Sequence, residues 1–269
     1  MKDLENAFRA ATRIDEAGLT ATIKVMFIHI VSGDNGRITA AQRTRQIEVM
    51  NEAYEPLGIS FTFDEGEVRE VDNAQFFAMG HGSARERQCK RANQAIDPSR
   101  GLNFYTAEPG GGLLGWATFP FEMEGDPEMD GVVMLHTTLP GGGQPNYDLG
   151  MTAVHEVGHW LGLYHTFQDG CSAPGDEVED TPSHAGPNFD KPADSDQPHN
   201  LCPGQPAGSL CPIHNYMNYV DDDWMNVFTA GQKDRVWAQI GMFRRGLIEQ
   251  EDTRVALEAS VNPAIQVVW

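Results

Sequence analysis

Long apolar runs are missing from this 269-residue chain: no segment approaches the roughly 18–20 consecutive residues a membrane-spanning helix needs. The opening MKDLENAFRAATRIDEAG has no apolar core of the signal-peptide kind, so the expectation is a start from which any export signal has been removed or replaced. Basic residues are scarce. Lys and Arg number 19 against 39 Asp and Glu, a formal charge of −20. That balance repels phosphate backbones and anionic lipid, which argues against nucleic acid and membrane as partners. It suits an extracellular protein, a cation binder or an enzyme drawn to basic substrates, and it suits plain solubility equally well. Cysteine is limited to Cys89, Cys171, Cys202 and Cys211, with no CxxC pair, which argues against a zinc ribbon. Three of the four sit in one loop-rich stretch, so disulfides in an oxidising compartment, and hence secretion, are expected. Spacing alone does not give the pairing. Internal repeats, low-complexity segments and the twelve-residue ligand spacing of an EF-hand are absent as well.

What the chain does contain is HEVGHWLGLYH, from His155 to His165. On a helix of about 3.6 residues per turn, His155 and His159 share one face and can hold a single zinc ion. Glu156 projects beside them, placed to contact a water without being a ligand. Gly162 tolerates the positive φ of a sharp exit, which lets His165 swing back as a third nitrogen ligand. Three protein ligands leave one position open, as in a catalytic rather than a structural zinc site. This pattern resembles the signature of the metzincin zinc endopeptidases, which continues later with a methionine turn.

Around that motif the periodicities predict a mixed α+β architecture. Thr20–Val31 reads as a buried strand and Ser32–Gly36 as a turn. Ile38–Leu57 has helical spacing, and ISFTFDEGEVREV alternates like a half-buried strand. A helix is expected over Asn73 to about Ala95. GLNFYTAE and GLLGWATFP suggest two short strands flanking a glycine loop, and Asp130–Leu139 a further one carrying His136, more naturally a sheet histidine than a ligand. PGGGQPNYD reads as a flexible approach to the zinc helix. From Thr166 to His214 periodicity disappears, and disulfides or cations are expected to pin the chain there. A helix returns from Thr229, a plausible cap, to about Gln250. The first twenty residues are expected to be helical, and the last eighteen a strand or a tail.

The second informative motif is HNYMNY, whose Met217 lies 52 residues beyond His165. The metzincin resemblance implies a tight turn that places Met217, not as a ligand, beneath the three imidazoles. Tyr219 is then positioned to hydrogen-bond the oxyanion of a tetrahedral intermediate. Taken together, GVVMLHTTLPGG, the zinc motif followed by HTF and Cys171, GDEVEDTP and PIHNYMNYVDD resemble the pappalysin family, in particular its smaller microbial members, over roughly residues 20–247. Trp224 departs from the pattern, standing where many relatives have a cysteine. The resemblance implies a Cys171–Cys202 disulfide and leaves Cys89 and Cys211 either paired or free. GDEVEDTP offers calcium-type oxygens from Asp176, Val178, Asp180 and Thr181, and the resemblance implies calcium there too. It also implies that Asp222, five residues after the methionine, selects Arg or Lys after the cleaved bond.

The fold expected is therefore metzincin-like. A lobe over residues 1–162 carries a mixed twisted sheet, a backing helix and the zinc helix. A loop-rich lobe over 163–269 supplies the third ligand, the calcium loop, the methionine turn and one long helix. The expected activity is zinc-dependent hydrolysis of internal peptide bonds in protein or peptide substrates, with Glu156 as general base and an extended substrate added to an edge at Gly115, Trp116, Ala117 and Thr118. The alternatives are a catalytically silent zinc-bound binding module and a zinc hydrolase of non-peptide amides.

Overall fold

A computed structural model describes residues 19–248. The N-terminal helix expected before Thr20, the last residues of the expected C-terminal helix and the expected strand or tail at 252–269 lie outside them. In chain order the elements are β1 (Ala21–Val31), α1 (Ala40–Tyr54), β2 (Ile59–Thr62), β3 (Arg69–Asp72), α2 (Ala74–Phe77), α3 (Ala84–Asn93), β4 (Gly101–Ala107) and β5 (Gly115–Ala117). Then follow α4 (Pro120–Met123), β6 (Val132–Leu135), α5 (Met151–Trp160) and α6 (Ala230–Phe243).

The sheet runs β2-β1-β4-β6-β5, with β3 also paired to β1. β1 is long enough to take β2 along its first half and β3 along its second, both in parallel. It is buried on both faces for most of its length, which is why its sequence is a nearly unbroken apolar run. β4 and β6 continue in parallel, and β5 alone is antiparallel, forming the outer edge. One face of the sheet carries the larger core, which draws Ile23, Met50, Val157, Met217, Val236 and Trp237 together across the whole described chain. The other face carries a smaller one around Phe77, Met79, Cys89 and Trp116.

Several expected boundaries shift for local reasons. The strand expected over residues 59–71 is two strands separated by a turn that Asp64 caps through Gly66 N. The helix expected from Asn73 breaks at Gly80 to Gly82, and Ser83 starts a new one by accepting from Glu86 N. β6 ends at Leu135, so His136 lies not in a strand but in a 3-10 turn, its Nε2 3.4 Å from Glu108 Oε2. The stretch expected to be a flexible approach to the zinc helix is a hydrogen-bonded turn, closed by Gly141 N to Asp148 O at 2.9 Å and Gln144 N to Thr137 O at 3.1 Å.

Helix α5 is the element the rest positions. Every residue from Thr152 to Trp160 is buried, so it cannot rely on water at any face. α1 braces it: Tyr54 Oη donates to Val154 O at 2.8 Å, and Gln46 Nε2 to Gly150 O at 3.0 Å. At its C-terminal end Gly162 N returns to His159 O and Leu163 N to Gly158 O, a Schellman closure with Gly162 at φ +98°. A Cβ on Gly162 would also lie 2.5 Å from Gln239 Cγ, so both conformation and space demand glycine there.

Candidate metal centre

The helix presents His155 and His159 from successive turns, and the Gly162 exit carries the chain back so that His165 joins them. Their Nε2 atoms are 3.1 Å (His155–His159), 3.0 Å (His159–His165) and 3.2 Å (His155–His165) apart. His155 Nδ1 is 2.7 Å from Tyr216 O and His159 Nδ1 is 2.7 Å from Leu163 O. A carbonyl only accepts, so both Nδ1 atoms carry the proton and both Nε2 atoms present lone pairs. Lone pairs converging at this range repel unless a cation lies between them. A tetrahedral zinc about 2.0–2.1 Å from each nitrogen would hold them about 3.3 Å apart, close to what is seen, so the donor set fits the ion. The two carbonyls fix ring orientation, the role usual for outer-shell partners of metal-bound histidines. Burial depresses these imidazoles, to about 4 for His155 and, with the neighbouring His155 adding to it, to about 3 for His165, which keeps them neutral and able to coordinate. Among the described residues no other group of three or more His, Cys, Asp or Glu side chains is gathered in this way.

Met217 is fully buried under the centre, its thioether against the helix at Gly158, where a Cβ would stand 2.5 Å from its Sδ. The turn is set by Asn215, whose Oδ1 accepts from Met217 N at 2.9 Å and whose amide pairs twice with Gln232. Tyr219 Oη lies 3.0 Å from His165 Nε2. Burial raises its phenol to about 12, so it remains a donor at neutral pH. Glu156 is buried and pressed against Gly115, where a Cβ would meet its Cγ at 2.9 Å. Desolvation lifts its carboxyl to about 8.

Glu156, Gly115, Tyr219 and Asp222 line one cavity of about 440 Å³, with Leu113 and Phe189 among its other walls. Asp222 is fully buried. Its Oδ2 accepts from Leu149 N at 2.9 Å and Met151 N at 3.4 Å, at the start of α5, while its Oδ1 has no hydrogen-bond partner. At the sheet edge, Leu114 O accepts from Leu135 N and Thr118 N donates to Gly131 O. Antiparallel alternation then turns the Trp116 backbone inward to β6 and the Gly115 and Ala117 backbones outward. Trp116 is buried, with Nε1 donating to Glu86 Oε1 at 2.6 Å. Of the four edge residues expected to meet substrate, then, two face outward and two are used by the sheet.

The calcium-type oxygens divide differently from expectation. Thr181 Oγ1 donates to Asp176 Oδ2 at 2.5 Å and to Val178 O at 3.0 Å, so three of them cluster. Asp180 is turned to the start of α6, accepting from Thr229 Oγ1 at 2.6 Å and Gly231 N at 2.9 Å. Cys171 and Cys202 are disulfide-bonded, while Cys89 and Cys211 are separate buried thiols. The sequence reading missed Asn215 and Asn218, although two asparagines flanking the methionine were a visible signal. It also missed Tyr147, a cavity wall residue that sits in the stretch expected to be merely flexible.

A buried zinc-type triad on an irregularly exited helix, with a methionine floor and an antiparallel edge strand above it, defines a metzincin-type metallopeptidase. The family model described as Pregnancy-associated plasma protein-A matches residues 114–241, and the Matrixin model matches residues 6–171. Extracellular metalloprotease 1 of Coccidioides posadasii is 39% identical over 238 residues, 86% of this chain and 81% of that protein. An extracellular metalloprotease of Pyricularia oryzae is 40% identical over 225 residues, 82% of this chain and 75% of that protein. Mature mirolysin of Tannerella forsythia, solved in complex with a cleaved peptide, superposes with a TM-score of 0.74 at 27% identity, covering 91% of this chain and 100% of that one. The chain belongs to the pappalysin family of zinc metalloendopeptidases.

Proposed function

We propose that this protein is a secreted endopeptidase that binds its polypeptide substrate as an added strand and cuts ahead of Arg or Lys. The observation that carries the reading is one cavity that joins the carboxylate beside the histidine triad to a buried acid with an oxygen to spare. Zinc held by His155, His159 and His165 would supply Lewis acidity, making water more acidic and polarising the scissile carbonyl. Glu156, adjacent to the triad, takes a proton from the attacking water and returns it to the leaving amine. Tyr219 donates its phenol hydrogen to the carbonyl oxygen as charge develops there. Met217 takes no part in proton movement and holds the imidazoles from below.

The outward backbone groups of Gly115 and Ala117 support strand addition at the edge. Asp222 supports the preference for a basic residue, because a cationic side chain entering the cavity would satisfy an acceptor that no protein group reaches. The names of the extracellular relatives and the Cys171–Cys202 disulfide support secretion. A calcium ion is proposed at Asp176, Val178 O and Thr181, on the strength of the three clustered oxygens, with Asp180 serving α6 instead. A digest of a peptide library read by mass spectrometry tests the specificity. Cuts ahead of Arg and Lys should dominate for the wild type and lose that dominance in Asp222→Asn. An indifferent wild-type profile would remove the role given to Asp222.

A further inference from the structure

Four rings, none of which lines the cavity, run together. Phe119 lies with its ring centroid 5.1 Å from that of His159, 5.4 Å from Tyr164 and 5.6 Å from Phe121. Tyr164 is held from behind by the buried guanidinium of Arg235, 4.7 Å over its ring. Arg235 is in turn fixed by Gly162 O at 2.8 Å and Glu177 at 3.0 Å. Phe121 remains 37% exposed at the outer end. Isolated exposed phenylalanines are ordinary on protein surfaces. This one continues a braced stack that begins at a metal-ligand histidine, directly after the edge strand β5.

The direction of the edge strand gives the stack its occupant. A peptide added antiparallel to β5 runs from the Phe119 end toward Gly115 and Leu113, where the cavity lies. If the cavity takes the side chain after the scissile bond, as proposed above, the residues before that bond pass along Ala117 to Phe119. The four residue steps from Gly115 to Phe119, in extended chain, span about 13 Å, the reach of a substrate segment a few residues long.

We propose that Phe119, Phe121 and Tyr164 form a second specificity site, which takes an aromatic side chain two or three residues before the cleaved bond. This inference rests on the peptidase reading for its direction along the strand. Rigid rings already stacked in the unbound protein lose little freedom on binding another, and an added aromatic pair is worth about fivefold to tenfold in preference.

The test uses short peptides with Arg after the cleaved bond, carrying either Phe or Ser at the second or third position before it. The zinc-loaded wild type is expected to show a kcat/KM about fivefold to tenfold higher for one Phe peptide than for its Ser counterpart. In Phe121→Ser that ratio should fall toward one, and Phe121→Leu should hold an intermediate value. Because the readout is a ratio within each variant, a loss of folded protein cancels. Equal rates for Phe and Ser in the wild type, or a preference displayed only after the bond, would overturn the site. Binding of the same peptides to zinc-loaded Glu156→Gln, measured by calorimetry, separates the two readings. If neither peptide is cut by the wild type the peptidase reading fails, and the affinity ratio still decides the aromatic site: a tighter Phe peptide sustains it and equal affinities sink it.

Discussion

Two parts of the molecule meet at Gly162 and deliver functional side chains by different means. Before it, His155, Glu156 and His159 come from a ten-residue helix packed on a sheet, where most backbone groups are satisfied by a repeating ladder. After it, His165, Met217 and Tyr219 come from chain with almost no regular structure until α6. There the backbone is satisfied by side-chain amides. Asn218 Oδ1 accepts from both Asn188 N and Tyr219 N, Asn218 Nδ2 donates to Asn188 Oδ1, and Asn200 Nδ2 donates to Gly186 O. Gln197 exchanges two hydrogen bonds with the Cys211 backbone. The lesson is that a site can need positions no periodic element reaches, and a buried polar network can then do what a ladder does elsewhere.

The comparison breaks most sharply at the proposed proton-transfer group. Glu156→Gln keeps the shape of the helical half and removes only the proposed base, so kcat on a quenched fluorescent peptide should drop about 10³-fold while zinc content by elemental analysis is unchanged. A variant within tenfold of the wild type would mean that Glu156 does not move the proton. A smaller and different effect is expected in the irregular half. Reducing Cys171–Cys202, or replacing both with serine, releases a loop closed over a sequence separation of 31 and should cost about 3 kcal/mol, read as a Tm lower by about 6–12 °C. If Tm does not move, the amide network alone holds that half.

The same division explains what could be read from the amino-acid order. The sheet, the backing helix α1 and the zinc helix were legible because burial on a regular element writes a period into the sequence, and because two histidines and a glutamate at helical spacing fall on adjoining faces. The misreadings cluster where a single short interaction overrides a period: Ser83 restarting a helix, or the turn that takes His136 out of its strand. Between His165 and α6 almost nothing periodic exists. Met217 and Tyr219 were reached through family resemblance, whereas the asparagines that set their turn were not, since an amide that closes a loop has no spacing rule. The expectation that disulfides and cations would pin residues 166–214 underestimated these neutral side chains. The contacts of Asp180 with α6 went unread for a similar reason. A carboxylate beside a calcium-type sequence and one capping a helix fifty residues later look identical until α6 is placed.

Asp222 joins the two halves, and its charge gives the mildest prediction. It comes from the irregular segment, yet its Oδ2 accepts from the backbone N–H groups of Leu149 and Met151, where the zinc helix begins. Burial raises its carboxyl from the usual range to about 6, although the N–H donors of Leu149 and Met151 work in the other direction. Because the folded value lies above the unfolded one, ionising Asp222 opposes folding. That penalty grows as pH rises through the interval from about 4 to about 6 and is absent below it. The proposed recognition runs the other way, since only the ionised form attracts a cation. Peptides carrying Arg or its uncharged isostere citrulline after the cleaved bond separate this charge from everything else, because Glu156 titrates identically for both. Above pH 7 the Arg peptide should be preferred about tenfold, as one desolvated charge pair would give. The ratio should decline through pH 6 as Asp222 takes up its proton, and in Asp222→Asn it should stay near one throughout. A ratio that holds constant across pH 5–8 in the wild type would assign basic-residue recognition to some group other than this carboxylate.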